Sequence, residues 1–399
     1  MEIERVLFEL FVMFAAAKIA GEIFERVGQP PVIGELLVGV ALGPHALGLI
    51  SDTEVHHVLQ ELGAIVLLFM VGLDTRLGEL RAVGARALGV GAAGIVLPFA
   101  LGGAYVYLVA GSPEEAAFMG AAMVATSVGI TARVLSDLGV VHAVESRVVL
   151  GAAVVDDVLG LLVLAFVSGA TQGDLSVVGI VALALGAILF VVLVGGLGPR
   201  AVEKAAPTIE KAVTKRGPLV VALAILLGLS ALAGAVGLAA IIGAFLAGMA
   251  FSEMRPRWEL ERQVEPVYEL LVPFFFVVTG SAVELGTFTE PSTVLAVVVV
   301  TLIAIVGKLA GCGGAAWGMG RRSAAIVGVG MVPRGEVGII VASVGLSSGL
   351  IEAELYGVIV AMSILTTLVT PPALKALFRA HPTRRARDER TDEIEGIGG

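Results

Sequence analysis

Long apolar segments, each about the length of a membrane crossing, follow one another along almost the whole chain. A helix that spans a bilayer needs about 20 consecutive, mainly apolar residues. On this criterion the sequence predicts thirteen spans, numbered in chain order, at residues 4–26, 31–50, 57–74, 82–110, 114–138, 145–169, 175–199, 216–236, 238–254, 262–283, 291–317, 322–348 and 354–379. The predicted fold class is therefore an all-α polytopic membrane protein.

Lys and Arg alternate between the connections of these spans. They occur in every second connection and in the tail, whereas the connections around residues 52, 112, 173, 237, 287 and 351 contain none. Cytoplasmic connections carry the excess of Lys and Arg in membrane proteins. We therefore predict a multi-pass protein of the cell (inner) membrane with its N-terminus outside and its C-terminus cytoplasmic, which requires an odd number of spans.

Two sequence patterns recur at one displacement. The pattern I-G-x-x-L-x-G at residues 33–39 returns at 242–248, and V-G-I at 128–130 returns at 337–339, both 209 positions later. This relates span 2 to span 9 and span 5 to span 12, and an odd shift of seven helices turns the second copy upside down in the membrane. We predict two inverted six-helix repeats joined by span 7, an organisation typical of secondary transporters.

Spans 5 and 12 contain residues that weaken a helix at positions equivalent under this repeat. Thr126, Ser127 and Gly129 have low helix propensity, and Pro333 removes a backbone donor from span 12. Either span alone could be an ordinary kinked helix. Irregular backbone at membrane depth is tolerated where it is buried in protein or lines a cavity, so the pair predicts crossed, discontinuous helices around a substrate site.

Ionisable residues deep in the apolar segments are the main candidates for chemistry. Asp156 and Asp157 stand together within residues 151–164 and at that depth indicate an ion or proton path, unless they form a misplaced helix end. Adjacent helix positions point about 100° apart, so the two carboxylates cannot face the same partner. Lys308 is far from a helix end and is the predicted cation partner, the alternative being a snorkelling lysine.

The depth of these residues in the membrane is similar. Counted from the cytoplasmic ends of their spans, Asp157, Lys308, Ser127 and Glu336 lie roughly 9 to 14 residues inside. This level, near the centre, would allow them to share one cavity. Arg334 and Glu336 flank the second interruption, where they can neutralise half-helix ends.

Other charged residues near the spans are interpreted as structural. Glu35, Glu61 and Arg133 are placed near helix ends, and Glu22 and Lys18 have the spacing of an ion pair within one helix.

The composition of the chain argues against several classes of function. Of 399 residues, 57% are hydrophobic and 15% charged, which is unlike a soluble globular domain. A net charge of −9 without a basic stripe argues against nucleic acid as a partner. The single cysteine, Cys312, excludes an intrachain disulfide, and no G-x-x-x-x-G-K-[ST] loop is present. We expect no cofactor and no enzymatic activity.

Together these motifs identify a family resemblance. With the segment 126–133, the double aspartate, Lys308 and the segment 333–338, the chain resembles bacterial and archaeal members of the monovalent cation/proton antiporter superfamily, most closely the NapA-type sodium/proton antiporters. The resemblance covers nearly the whole chain. It implies a homodimer in membrane lipid, in which a six-helix core domain slides against a dimerisation domain.

Residue by residue, the resemblance implies that Asp157 binds sodium and protons in alternation, with Thr126 close by, and that Asp156 pairs with Lys308. An Asp-Asp pair implies electrogenic exchange. The predicted ligands of the transported sodium are Asp157, Asp156 and Thr126; Lys308 and Ser127 complete the residues assigned to ion binding and proton exchange, and Glu336 and Arg334 support them.

The predicted domain organisation combines the repeat and the resemblance. It comprises first-repeat helices at 1–110, with spans 1–3 in the dimerisation domain and span 4 in the core, core spans 5–6 at 111–170, a linker helix at 171–215, dimerisation spans 8–10 at 216–284, core spans 11–13 at 285–380 and a cytoplasmic tail at 381–399.

The acid–base chemistry of a buried carboxyl group agrees with sodium/proton exchange. Burial disfavours the charged form of a carboxyl group, so near neutral pH such a group can hold either a proton or a hard cation. Potassium/proton exchange stays open because oxygen ligands alone do not separate the two ions. A cation channel and an ion sensor without flux are the alternatives from other classes.

Overall fold

The structure is a computed structural model that describes residues 3–172, 176–212, 217–282 and 291–379. Within these ranges the chain is helical and contains no β-strand, which confirms the all-α fold class. The helices are α1 (Ile3–Arg26), α2 (Pro31–Leu42), α3 (Glu54–Leu73), α4 (Leu77–Ala110), α5 (Pro113–Val124), α6 (Val128–Asp137), α7 (Val144–Gln172), α8 (Val177–Ala212), α9 (Gly217–Ala235), α10 (Ala240–Phe251), α11 (Arg255–Trp258), α12 (Leu260–Ser281), α13 (Pro291–Lys308), α14 (Arg321–Gly330), α15 (Glu336–Ser347) and α16 (Ala353–Arg379).

Each of the predicted spans coincides with one helix or with two consecutive helices. In the described ranges, nine segments are long and apolar enough to cross a membrane, and three shorter apolar helices accompany them at Pro31–Leu42, Ala240–Phe251 and Val337–Leu346. The chain is thus a polytopic membrane protein. The count of thirteen crossings stays a prediction, and the predicted tail at 381–399 lies outside the described residues.

Three helix ends differ clearly from the prediction. α13 ends at Lys308 rather than near residue 317, and a π-helical turn (Leu309–Gly313) follows it. α2 ends at Leu42 rather than near residue 50, because extended Gly43 precedes Pro44, which disfavours a helical conformation in the residue before it. α8 continues to Ala212, well beyond residue 199. Val202 and Ala206 are buried in the hydrophobic core, so packing extends this helix past the end of its apolar segment.

The helices pack in two groups. α1, α2, α3, α9, α10 and α12 contact one another and form the first helix group. α4 to α7 and α13 to α16 form the second helix group, while α8 contacts helices of both. The predicted roles of these groups as dimerisation and core domains stay predictions.

Pairs of glycines bring helices of the first group together. Gly39 of α2 lies against Gly280 of α12, and Gly72 of α3 lies against Gly248 of α10. A Cβ atom on any of these glycines would clash with the backbone of the facing helix. Because Gly39 and Gly248 are related by the displacement of 209 positions, the two contacts are equivalent under the predicted repeat. The inversion of the repeat in a membrane stays a prediction.

Lys18 and Glu22 have the spacing of an ion pair within α1, but they pair with other residues. Glu22 instead accepts a hydrogen bond from Arg26 at 2.9 Å, one turn further along α1. Lys18 crosses to Glu269 on α12. Lys18 and Arg26 are both four residues from Glu22, so spacing along α1 does not decide which of them pairs with it. The packing of α1 against α12 decides, because it places Lys18 beside Glu269.

Candidate ion-binding site

Two helices are interrupted side by side, as predicted. α5 ends at Val124 and α6 begins at Val128, while α14 ends at Gly330 and α15 begins at Glu336. The two interruptions are in direct contact, since the backbone N–H of Ser127 donates to the carbonyl of Pro333 with an N···O distance of 2.8 Å. This contact is called the crossing below, after the predicted arrangement. Pro333 has no backbone donor to continue α14, and its ring disfavours a helical conformation in the residue before it.

Hydroxyl groups of the first interruption and of α6 satisfy carbonyls at the end of α14 and directly after it. Thr131 Oγ1 of α6 donates to the Gly330 carbonyl at 2.7 Å, and Thr126 Oγ1 donates to the Met331 carbonyl at a longer 3.4 Å. The last carbonyls of a helix have no partner within it. Thr126, one of the residues that weaken a regular helix in span 5, therefore helps to complete the end of α14.

Asp156 on α7 faces Lys308 on α13. The distance from Lys308 Nζ to Asp156 Oδ1 is 3.0 Å, and both side chains are completely buried. Gly94 of α4 makes room for Cys312 and for the ammonium group, since an added Cβ atom would lie 2.6 Å from Cys312 Sγ and 3.2 Å from Nζ. A π-helical turn (Leu309–Gly313) directly follows Lys308. Such turns are frequent at functional sites.

Arg334 is a second fully buried cation in this region. Its Nη1 donates to the carbonyls of Met331 and Val332 at 3.2 and 3.1 Å. Nε and Nη2 are buried and have no hydrogen-bond partner among the described residues. The carbonyls of Met331 and Val332 directly follow the end of α14. The predicted supporting role of Arg334 at half-helix ends is compatible with these contacts and stays a prediction.

Asp157 points in another direction. Its side chain, 8% exposed, borders a small apolar pocket between the two helix groups. The pocket is lined by Leu68 of α3, Val128 of α6, Leu150, Val154 and Asp157 of α7, and Ile241, Ile242 and Phe245 of α10. Asp156, Lys308 and Ser127 are not part of this lining, so these residues do not share the pocket with Asp157. Rotation around α7 separates the two aspartates, as adjacent helix positions require.

Ser127 supplies a buried oxygen beside the crossing. Its side chain is 3% exposed, and Oγ has no hydrogen-bond partner among the described residues. The absence of a side chain at Gly335 leaves space for this hydroxyl, because an added Cβ atom would lie 2.6 Å from it. Buried hydroxyls usually have a partner. Ser127 Oγ is therefore available to a ligand.

Thr126 and Glu336 are the remaining residues of the predicted site. Thr126 is buried, and its hydroxyl hydrogen is directed to the second interruption. Glu336 begins α15, but its side chain lies outside the described part of the structure. No group of three or more His, Cys, Asp or Glu residues within the described ranges is arranged to hold a resident metal ion.

A helical membrane protein in which interrupted helices cross beside buried charges has the architecture of a secondary transporter. The chain belongs to the sodium/hydrogen exchanger family, since the family model described as "Sodium/hydrogen exchanger, transmembrane" matches residues 11–380. This confirms the family resemblance found from the motifs.

Curated relatives extend over nearly the same length. The Na(+)/H(+)-K(+) antiporter GerN of Bacillus cereus is 38% identical over 379 residues, which cover 94% of this chain and 96% of that protein. The high-affinity Na(+)/H(+) antiporter NhaS3 of Synechocystis sp. is 35% identical over 430 residues, covering 96% and 92%.

Solved structures share the fold. One structure of the sodium proton antiporter MjNhaP1 from Methanocaldococcus jannaschii matches with a TM-score of 0.72 and 17% identity, covering 96% of this chain and 100% of that chain. A second MjNhaP1 structure, at pH 8, matches with a TM-score of 0.63, also at 17% identity, over 95% and 98%. At this identity the likeness concerns the fold alone.

Proposed function

We propose that the protein exchanges sodium ions for protons across the cell membrane, with Asp157 as the ligand that holds the two in turn. The observation that carries the proposal is the position of Asp157, a carboxyl group at the boundary between the two helix groups and next to the crossing. A buried carboxyl group can hold a proton or a hard cation, but one excludes the other. Membership of the sodium/hydrogen exchanger family and the names of the relatives agree with these ions.

Neighbouring oxygens would complete the sodium site. Val128 lines the pocket beside Asp157, and Ser127, with its unpartnered hydroxyl, precedes it in the chain. Thr126 keeps lone pairs on Oγ1 after donating its hydrogen. We assign the transported sodium to Asp157 and Thr126, with Ser127 as a further oxygen and with Asp156 joining when its pairing with Lys308 loosens.

The pair of Asp156 and Lys308 would couple a second proton to the exchange. In the hydrogen-bonded pair the ammonium group and the carboxylate stabilise each other. Sodium arriving at the aspartates would compete for Asp156 and favour loss of a proton from Lys308. Each cycle would then carry net charge, which makes the exchange electrogenic.

Alternating access follows from the position of the pocket. Its lining joins α3 and α10 of the first helix group to α6 and α7 of the second, and apart from Asp157 it is apolar. An apolar boundary has few hydrogen bonds to break when one group slides past the other. We propose that the second group moves as an elevator while the first group forms the dimer contact, with the C-terminus in the cytoplasm.

Flux measurements test the proposal directly. Purified protein in liposomes that contain a pH-sensitive dye should move protons when sodium is added outside, and a potential-sensitive dye should report net charge transfer. Proton movement without a change in potential would reject electrogenicity alone. No sodium-dependent proton movement, in either direction of the gradient, would reject the function.

Potassium/proton exchange is the second candidate, because the relative GerN is named as a Na(+)/H(+)-K(+) antiporter. The same liposomes distinguish the two. We expect half-maximal proton movement at a lower concentration of sodium than of potassium, and the reverse order would replace the first proposal by the second.

A further inference from the structure

The backbone of Arg334 is held on both sides by neighbouring threonines of α16. Its N–H donates to Thr366 Oγ1 at 3.2 Å, and its carbonyl accepts a hydrogen bond from Thr367 Oγ1 at 2.8 Å. Thr366 is fully buried and Thr367 is 1% exposed. One residue of the second interruption is thus bound to α16 through both of its peptide groups.

One of the two hydroxyls accepts a hydrogen bond from Arg334, and the other donates one to it. Thr366 Oγ1 donates its own hydrogen to the Ser363 carbonyl at 2.8 Å, so it meets Arg334 as an acceptor. Thr367 meets Arg334 as a donor. A hydroxyl has one hydrogen and two lone pairs, which allows both arrangements. Valine has a similar shape but supplies neither hydrogen bond.

The other backbone carbonyls at the second interruption also have hydrogen-bond partners. The carbonyls of Gly330, Met331 and Pro333 accept hydrogen bonds from the first interruption and α6, and that of Val332 accepts one from the Arg334 guanidinium. Buried peptide groups need such partners. In this set the threonines of α16 bind the one residue of the second interruption that carries a fully buried positive charge.

We propose that Thr366 and Thr367 are positioning residues for the ion site. By fixing the N–H and the carbonyl of Arg334, they set the direction of its guanidinium and the path of the second interruption across the first. They would thereby set the position of this buried positive charge and the spacing of the oxygens offered to sodium. The inference rests on the proposed function, since it takes the crossing as the sodium site.

The test compares Thr366→Val and Thr367→Val with Thr370→Val. Thr370 is a matched control because it is fully buried on the same helix and its hydroxyl donates to the carbonyl of Thr366 within α16. Sodium-dependent proton movement is measured in liposomes at a series of pH values. We expect the apparent KM for sodium to rise about tenfold in the first two variants, as loss of a hydrogen bond to a buried group suggests, with a shifted pH profile. Thr370→Val should keep the wild-type KM and profile.

Thr367→Ser serves as the rescue variant, because it retains the hydroxyl and loses a methyl group. It should restore the wild-type KM. A Thr367→Ser variant as impaired as Thr367→Val would overturn the inference, since packing would then be the cause. The same holds if the first two valine variants behave like Thr370→Val, or if both fail to fold while Thr370→Val folds. Absence of exchange in the wild-type protein would instead reject the proposed function.

Discussion

Asp156 and Asp157 are neighbours in the chain, yet they face different surroundings. Asp156 pairs with Lys308, whereas Asp157 borders the pocket between the helix groups. At the scale of single residues, Asp156 is therefore paired with a cation of the protein, whereas Asp157 is the carboxylate that we propose for the transported ion. This division leads to separate predictions for the two.

Asp157→Asn should abolish sodium-dependent proton movement while the protein still folds, because an amide has similar size but cannot exchange a proton for sodium. Liposome assays and size-exclusion chromatography of the variant measure the two properties. Asp52→Asn is a suitable control, since the Asp52 side chain is 73% exposed in the connection before α3. Wild-type flux in Asp157→Asn would show that this carboxylate is not the shared ligand.

Lys308→Gln should reduce or abolish the electrogenic component, because the second proton is assigned to the ammonium group. The change also leaves Asp156 buried without its partner, which typically costs about 3–5 kcal/mol, so the apparent melting temperature should fall. Lys204→Gln, on an exposed position of α8, controls for the change of residue type. Unchanged currents with unchanged pH dependence would make Lys308 a structural residue.

At the scale of helices, close packing depends on glycines that face the backbone of a neighbour. Gly72 of α3 has no room for a Cβ atom against α10, whereas Gly228 of α9 has no atom within 4 Å of that position. Both glycines lie inside helices, so their helix propensities alone would predict the same effect of alanine. Only the neighbouring helix distinguishes them.

Gly72→Ala should therefore lower the apparent melting temperature in detergent, since overpacking costs about 1–3 kcal/mol. Gly228→Ala should leave it unchanged or raise it, because alanine favours a helix by up to about 1 kcal/mol relative to glycine. Thermal unfolding of the two purified variants makes the comparison. Equal melting temperatures would contradict the close contact between α3 and α10.

At the scale of the whole molecule, a buried charge cluster connects the two helix groups. Arg133 of α6 pairs with Asp137 on its own helix at 2.9 Å, and its Nη2 lies 4.0 Å from Glu35 Oε1 on α2. The guanidinium also stands 5.2 Å from the ring centre of Tyr268 on α12. The contacts of Arg133 with Glu35 and Tyr268 cross the boundary along which the proposed sliding takes place, so sliding must break or rearrange them.

Glu35→Gln should weaken this connection and increase the population of arrangements in which the two helix groups have moved relative to each other. In a Cys312→Ala background, which removes the single cysteine of the chain, Val154→Cys reports access to the pocket through its rate of reaction with a thiol reagent. We expect Glu35→Gln to raise that rate about two- to fivefold, as a partial ion pair suggests. Exposed Glu61 of α3 provides the control Glu61→Gln. Equal rates in the two variants would show that Glu35 does not hold the groups together.

The sequence by itself determined the apolar helices, the two interruptions and the identity of the buried charges. Spans follow from the length of apolar runs, and the breaks follow from Pro333 and from Thr126, Ser127 and Gly129, because these residues act on the backbone locally. That Lys308 pairs with one of the two aspartates followed from opposite charges buried in the apolar spans. The family resemblance implied that this partner is Asp156, and in the structure Lys308 Nζ lies 3.0 Å from Asp156 Oδ1.

Only the tertiary structure decided which partner each side chain meets. Contacts between helices depend on how each helix is rotated and which neighbours it has. Examples are the hydrogen bonds of Thr366 and Thr367 to the backbone of buried Arg334, and the contact of Lys18 with Glu269 rather than Glu22. Helical periodicity gives the relative directions of residues on one helix, but not the direction in which the helix itself faces. Packing against the other helices fixes that rotation, and with it the choice of Asp157 over Asp156 for the pocket.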